Sequence, residues 1–160
     1  MPQAAGSTIR DSVLAHLDAC GCPYEVVEHP PVRTAEEAAA ARGTPLAMGA
    51  KAIVCKLDDD FRLLALSAAR QLRSRLLRRA LGVARTRFAS HQELLRLTGL
   101  EPGCVPPFGP PILPLELLAD PSLLAQPRLA LTPGDPTCSL ILASADWRRA
   151  AQPRMVPFAR

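Results

Sequence analysis

Both lysines of this chain, Lys51 and Lys56, stand in one apolar run, Gly49-Ala50-Lys51-Ala52-Ile53-Val54-Cys55-Lys56-Leu57, while every other long cationic side chain is arginine. A guanidinium suffices for solubility or ion pairing, so a compact ammonium kept inside an apolar run points to a task that arginine does less well. The alternation has period two. It predicts a strand whose two lysines face opposite sides, so that at most one looks into a given pocket. Lys51, at the strand entrance beside Gly49, is the functional candidate. Lys56 leads into Asp58-Asp59-Asp60 and is expected to be a solvated partner of that acidic turn.

A second stretch with chemical potential is Pro102-Gly103-Cys104-Val105-Pro106-Pro107-Phe108-Gly109-Pro110-Pro111. Its prolines exclude a helix and its glycines permit unusual backbone shapes, so a rigid loop is expected. Such loops can present amides to a carbonyl or phosphate oxygen, although composition alone fits an unliganded connector better. No Gly-x-Ser-x-Gly elbow or metal-ligand cluster occurs, which argues against covalent or metal-dependent hydrolysis. His29 has no nucleophile beside it in sequence and reads as a structural or pocket-wall residue. The five cysteines are odd in number, and Cys20 and Cys22 lack a second close pair, so reduced and mostly buried thiols are expected. Neither cofactor nor metal is called for.

The elements that must position these residues follow from periodicity and capping. Ser7 or Thr8 can cap a first helix with Ile9, Val13, Leu14 and Leu17 on one face, ending near Gly21. A short strand around Tyr24 to Glu28 closes at Pro30-Pro31. Thr34 with Glu37 forms a capping box for an alanine-rich helix stopped by Gly43. The lysine strand, the aspartate turn and Phe61 to Ser67 make an antiparallel hairpin. An amphipathic helix is predicted over Arg70–Leu81, ended by Gly82, with Leu72, Leu76, Leu77 and Leu81 inward. A strand over Val83–Phe88 precedes a second capping box, Ser90 with Glu93, and a helix to Gly99. After Ile112 to Leu115 the leucine- and proline-rich chain resists assignment. Strands over Arg128–Leu131 and Ser139–Leu142, a last helix capped by Ser144 and containing Trp147, and an edge strand at Met155-Val156 complete the reading. This interleaving describes an α/β or α+β domain with a mixed sheet.

With 160 residues, 48% of them hydrophobic, the chain suits one domain with a real core. No apolar run approaches a membrane span and the start lacks a signal-peptide pattern, so no membrane association and a cytoplasmic location are expected. The net charge of +4 is concentrated in Arg70, Arg73, Arg75, Arg78 and Arg79, equally a solvated helix face or a phosphate-binding stripe. Few aromatic residues argue against a base-stacking platform, leaving nucleic acid backbone and termini as the contacts to expect.

His29-Pro30-Pro31-Val32 with Thr34 and Glu36-Glu37, then Lys51, Arg70 before a leucine-rich helix, Leu97-Thr98-Gly99 and Gly103 to Gly109 occur in an order and spacing that resembles the YbaK/ProX family. These are aminoacyl-tRNA deacylases related to the editing insertion domain of bacterial prolyl-tRNA synthetase. The resemblance runs from about Ser7 to Trp147. It implies one editing domain over 1–160 with a mixed, partly antiparallel curved sheet flanked by helices. The implied activity is hydrolysis of the ester joining a wrong amino acid to the terminal adenosine of tRNA. Mischarged tRNA is then the partner, and an aminoacyl-tRNA synthetase is admissible as a second. Lys51 matches the family's functional lysine, and Gly103 with Pro107 matches its Gly-x-x-x-Pro loop, with Phe108 and Gly109 following. Thr132 and Gly134 fall where members line the amino acid pocket. Thr137 and Ser139 match a Thr-x-Ser stretch whose middle residue, His in several members, is here Cys138. His29 and Arg70 complete the implied substrate contacts. The His29-Pro30-Pro31 variant is similar to members acting on small residues, alanine first, then serine, threonine or cysteine, with tRNA-Pro as the expected carrier.

An aminoacyl ester is already activated, so water needs placing and the oxyanion needs holding more than a strong nucleophile is needed. Amides around Gly103 would hold the carbonyl, Lys51 the adenosine phosphate or the charge forming nearby, and the substrate's 2'-hydroxyl would orient water. Two rival readings are a tRNA- or synthetase-binding module of the same fold without chemistry and a protein-docking domain using the arginine helix.

Overall fold

A computed structural model describes residues 5–160. Helix α1 (Ala5–Ala19) leads to strand β1 (Glu25–Glu28), helix α2 (Ala35–Arg42), and the hairpin of β2 (Ala50–Leu57) with β3 (Asp60–Ser67). Helix α3 (Ser74–Leu81), β4 (Thr86–Phe88), α4 (His91–Thr98) and β5 (Leu117–Ala119) follow. The chain closes with β6 (Arg128–Leu131), β7 (Cys138–Ala143), α5 (Ser144–Ala151) and β8 (Arg154–Met155).

The strands divide into two sheets, β1-β7-β6, which is antiparallel, and β4-β2-β3-β5-β8, which is mixed. A parallel bridge between Gly49 and Ala130 links them. Alternation along the hairpin sorts the core in two. Ala50, Val54, Leu63 and Ala65 face a large cluster that takes in Leu129 and Leu140 of the smaller sheet, Val13 and Leu17 of α1, and Trp147 of α5. Cys55, Leu57, Leu64 and Leu66 face a smaller one closed by Leu77 of α3 and by Val156 and Phe158. Burial of roughly 1.5–3 kcal/mol per large apolar side chain is what holds helices against both faces of the larger sheet.

Local chemistry explains most boundaries. Thr34 accepts from the Glu37 amide, and Gly43 ends α2 at φ +70°, where glycine carries no steric cost. Glu37 reaches back to the Arg33 amide, so the box there is not closed on Thr34 itself. At α4 the Ser90 and Glu93 box is complete, and the Arg87 guanidinium together with Ser90 holds the Glu93 carboxyl down to about 2.

Several expectations need correction. Ala5 is already helical, so neither Ser7 nor Thr8 caps α1. Helix α3 starts at Ser74 because residues 71–73 are taken by the C-terminal tail, Gln71 and Arg160 exchanging amide bonds and Arg73 donating to Phe158. Ser144 is the first helical residue of α5, and its hydroxyl donates to the Gln126 carbonyl instead of capping. Lys56 lies 5.7 Å from the Phe61 ring centre, while the aspartates of the turn engage Arg62, Arg85 and the amides of Ala84 and Arg85. Among the described residues no helix is long and apolar enough to cross a membrane.

Candidate active site

Strand β2 has an edge that is only half covered. Strand β4 pairs with Cys55 to Leu57, the Ala89 amide donates to the Val54 carbonyl, and Ala130 bridges Gly49. Between those points, among the described residues, no strand flanks residues 51–53 on the side away from β3. Backbone polar groups of alternate residues point to alternate sides of a strand, so the bond at Val54 directs the amide and carbonyl of Ala52 toward this open side. A cavity of about 200 Å³ lies along it, walled by Lys51, Ala52 and Ile53 on one side and by Gly103 and Val105 on the other. Helix α2 contributes Ala35, Ala38 and Arg42, and the turn between β6 and β7 contributes Thr132, Asp135 and Pro136.

Gly103 is suited to this wall by shape. It has φ +84°, and a Cβ there would sit 2.4 Å from the Arg33 carbonyl oxygen, so only glycine lets this loop lie against the segment entering α2.

Charge in the cavity is unbalanced. Among the described residues neither Lys51 nor Arg42 forms an ion pair with a carboxylate. Arg42 donates to the hydroxyls of Thr44 at 3.2 Å and Ser139 at 3.3 Å, and burial pulls its guanidinium below its ordinary value without discharging it. Ser139 also lies 2.9 Å from His29 Nε2, and His29 Nδ1 lies 2.9 Å from the Pro30 carbonyl. A carbonyl only accepts, so Nδ1 carries the proton. In the neutral ring Nε2 then accepts from Ser139, leaving that oxygen's lone pairs for Arg42.

The carboxylate in the wall is committed elsewhere. Asp135 pairs with Arg10 at 3.0 Å and accepts from the Thr137 hydroxyl at 2.6 Å and amide at 2.8 Å. Burial raises its carboxyl, but the bonds from Thr137 and Arg10 outweigh that and hold it below the usual carboxylate range. Cys138 is buried, and desolvation pushes its thiol up, away from the thiolate form a nucleophile needs. The cavity therefore offers an anionic group two cations and an edge of free backbone. No cluster of three or more metal-binding side chains occurs among the described residues.

Residues 29–150 match the aminoacyl-tRNA editing domain family. The chain is 37% identical over 163 residues to the Escherichia coli K12 multifunctional Ser/Thr-tRNA deacylase ProXp-y, covering 98% of this chain and 96% of that one, and equally to its O157:H7 counterpart. The chain belongs to the aminoacyl-tRNA editing domain family. Its fold superposes on a crystal structure described as that of a candidate trans-editing enzyme for prolyl tRNA synthetase, with TM-score 0.81, 27% identity, and 95% and 97% of the two chains covered. Another solved protein, the hypothetical APE2540, shares the fold at TM-score 0.80 and 24% identity, over 92% of this chain and 99% of that one.

Of the residues singled out from sequence, Lys51, Gly103, Thr132 and Ser139 line the editing-domain cavity together. His29 joins through Ser139, and exposed Thr137 acts on the wall through Asp135. Gly134 is buried in the same turn, its amide donating to the Thr132 hydroxyl. Four others are not on the cavity. Pro107 is buried with its carbonyl accepting from the Trp147 indole at 3.0 Å, and Phe108 is 1% exposed in the main core. Gly109 packs where a Cβ would meet the Leu115 carbonyl at 2.7 Å. These three are buried and do not line the cavity. Arg70 is exposed in the turn after β3, outside the cavity lining. Sequence reading missed Arg42 and Asp135. The signal for Arg42 was its place at the last turn of an otherwise alanine-walled helix, which leaves it as that helix's one cation.

Proposed function

We propose that the protein is a freestanding aminoacyl-tRNA deacylase that removes serine or threonine, and comparably small residues, from the 3' end of mischarged tRNA. The observation that carries this reading is the cavity in which Lys51 and Arg42 stand without an ion-pair partner, its one carboxylate, Asp135, being paired with Arg10, beside the open edge of β2 and the Gly103 loop. At about 200 Å³ it lies below the roughly 300–1,000 Å³ of sites for drug-sized ligands, which suits a small amino acid and its ester.

The substrate supplies an activated carbonyl. Water adds to it, the carbon to ribose-oxygen bond breaks, and the ribose oxygen takes up the proton given by the water, with the neighbouring 2'-hydroxyl orienting the attack. Charge that gathers on the carbonyl oxygen is held by backbone donors at Ala52 and Gly103, in a site that needs little reorganisation. Lys51 neutralises the terminal phosphate or the charge forming beside it. Thr132 and Ser139 can bond a substrate hydroxyl, and a pocket built to do so rejects the residue lacking it far more strongly than size alone permits. That favours serine and threonine, in line with the E. coli relative, over alanine.

Outside the cavity, α3 presents Arg75, Arg78 and Arg79 to solvent, with Arg73 exposed just before it, on the face of the sheet that also carries Lys51, which pairs with Leu66. This basic stripe suits the phosphates of an acceptor stem, and replacing one phosphate-binding arginine by alanine should lower the salt dependence of binding by about one unit of slope. The reading places the protein in the cytoplasm, downstream of a synthetase that mischarges tRNA. Prolyl-tRNA synthetase is the one named for the structural relative, with tRNA-Pro as the carrier to try first. Incubating the purified protein with Ser-, Thr-, Ala- and Cys-tRNA tests it. Release of serine and threonine ahead of alanine is expected, and intact ester in all four would overturn the reading.

A further inference from the structure

We propose that a second cavity beside the first is a subsite for the terminal adenine base, with Phe88 as its stacking surface. The proposal rests on the deacylase reading above. This cavity, about 250 Å³, is lined by Phe88, Ala89, His91, Leu94 and Pro102, and shares Ala52, Ile53, Gly103 and Val105 with the catalytic one. The shared residues are the open edge of β2 and the loop facing it, so the two cavities are neighbouring chambers of one cleft.

Phe88 is the most exposed large hydrophobic residue described, at 60%. Its position on β4 opposite Cys55 puts its side chain on the face of the sheet that carries Lys51 and Ile53. From Lys51 to Cys55 is four residues of strand, roughly 13 Å, so a nucleotide lying along the edge has a cation near one end and an aromatic ring near the other. The base of a terminal nucleotide is joined through its ribose to the esterified amino acid, and must therefore sit next to the amino acid chamber. A base brings a flat apolar face and a polar rim. Phe88 and Ile53 meet the first, and His91, held at 2.6 Å by Glu101, stands at the cavity wall for the second. Scarcity of aromatic residues rules out a platform for a run of bases, but one exposed ring suffices for one base.

The test uses an acceptor-stem RNA hairpin ending in CCA with 2-aminopurine in place of the terminal adenine, and a seryl-tRNA substrate for kinetics. Binding to the native protein should quench the 2-aminopurine fluorescence. Phe88→Ala should abolish the quench and raise KM on the order of 10-fold, with a smaller effect on kcat, and Phe88→Tyr should restore both. Phe88 is exposed, so its truncation leaves the core intact, which an unchanged melting temperature verifies. Seryl-tRNA hydrolysis with KM and quench unaltered in Phe88→Ala would overturn the subsite alone. No hydrolysis by the native protein would overturn the deacylase reading and the subsite with it.

Discussion

Strand β2 carries the same side chain near its two ends, in surroundings that differ. At Lys56 the strand is flanked on both sides, by Phe61 of β3 and Arg87 of β4, and the ammonium rests against the Phe61 ring. At Lys51 only β3 is beside it, and the other side opens into a cavity that holds a second cation and no free carboxylate. What turns a strand lysine into a candidate for chemistry is therefore the missing neighbour, which leaves both its ammonium and the adjoining backbone available to a ligand. The covered end does the opposite work, anchoring the aspartate turn and α4 through paired backbone.

The difference can be tested by closing the open half or by altering its partners. Gly103→Ala should have the largest effect, since the new methyl meets the Arg33 carbonyl and needs a left-handed backbone. We expect a loss of about 2 kcal/mol or more in stability together with the activity, read by thermal melting beside a deacylation assay. Arg42→Ala should lower kcat/KM on the order of 10-fold by removing a charged donor from the cavity, with the fold retained. An unchanged rate would confine Arg42 to holding Ser139.

Asp135→Asn should cost about 1 kcal/mol near neutrality, because it breaks the clip between Arg10 and the turn of β6 and β7. The folded carboxyl is held below its unfolded value of roughly 3.9, so its contribution is full above that pH and fades as pH falls through the lower folded value. Melting curves of the two proteins should thus converge in acid, and a gap that persists there would show the loss to be packing instead of charge.

Much of the frame was legible because single residues enforce it. Thr34, Gly43, Ser90, Glu93 and Gly99 mark helix ends through bonds that local sequence dictates. The lysine hairpin followed from strict alternation. What was illegible depended on contacts distant in sequence. Leu117–Ala119 became β5 only by pairing with β3 and β8, and nothing in its Leu-Leu-Ala sequence prefers that to a loop. The start of α3 was set by the C-terminal tail, and the division into two sheets by where β7 pairs. In the site, Lys51 and Gly103 were conspicuous by type, whereas Arg42 and Asp135 are ordinary residues made notable by the cavity they share. The loop of Pro102 to Pro111 showed the converse. Its composition fitted a plain connector as well as a ligand-facing loop, and the structure divides it: residues 104–109 are buried, and of the loop Pro102, Gly103 and Val105 line the cleft.

The most direct measurement is single-turnover hydrolysis of seryl-tRNA by Lys51→Ala, with Lys56→Ala as its partner on the covered half of the same strand. Loss of one preorganised electrostatic contact is worth on the order of 100-fold or more, so Lys51→Ala should fall by at least that much at an unchanged melting temperature while Lys56→Ala keeps the native rate. Equal rates for the two variants would contradict the assignment of the chemistry to the open edge of β2.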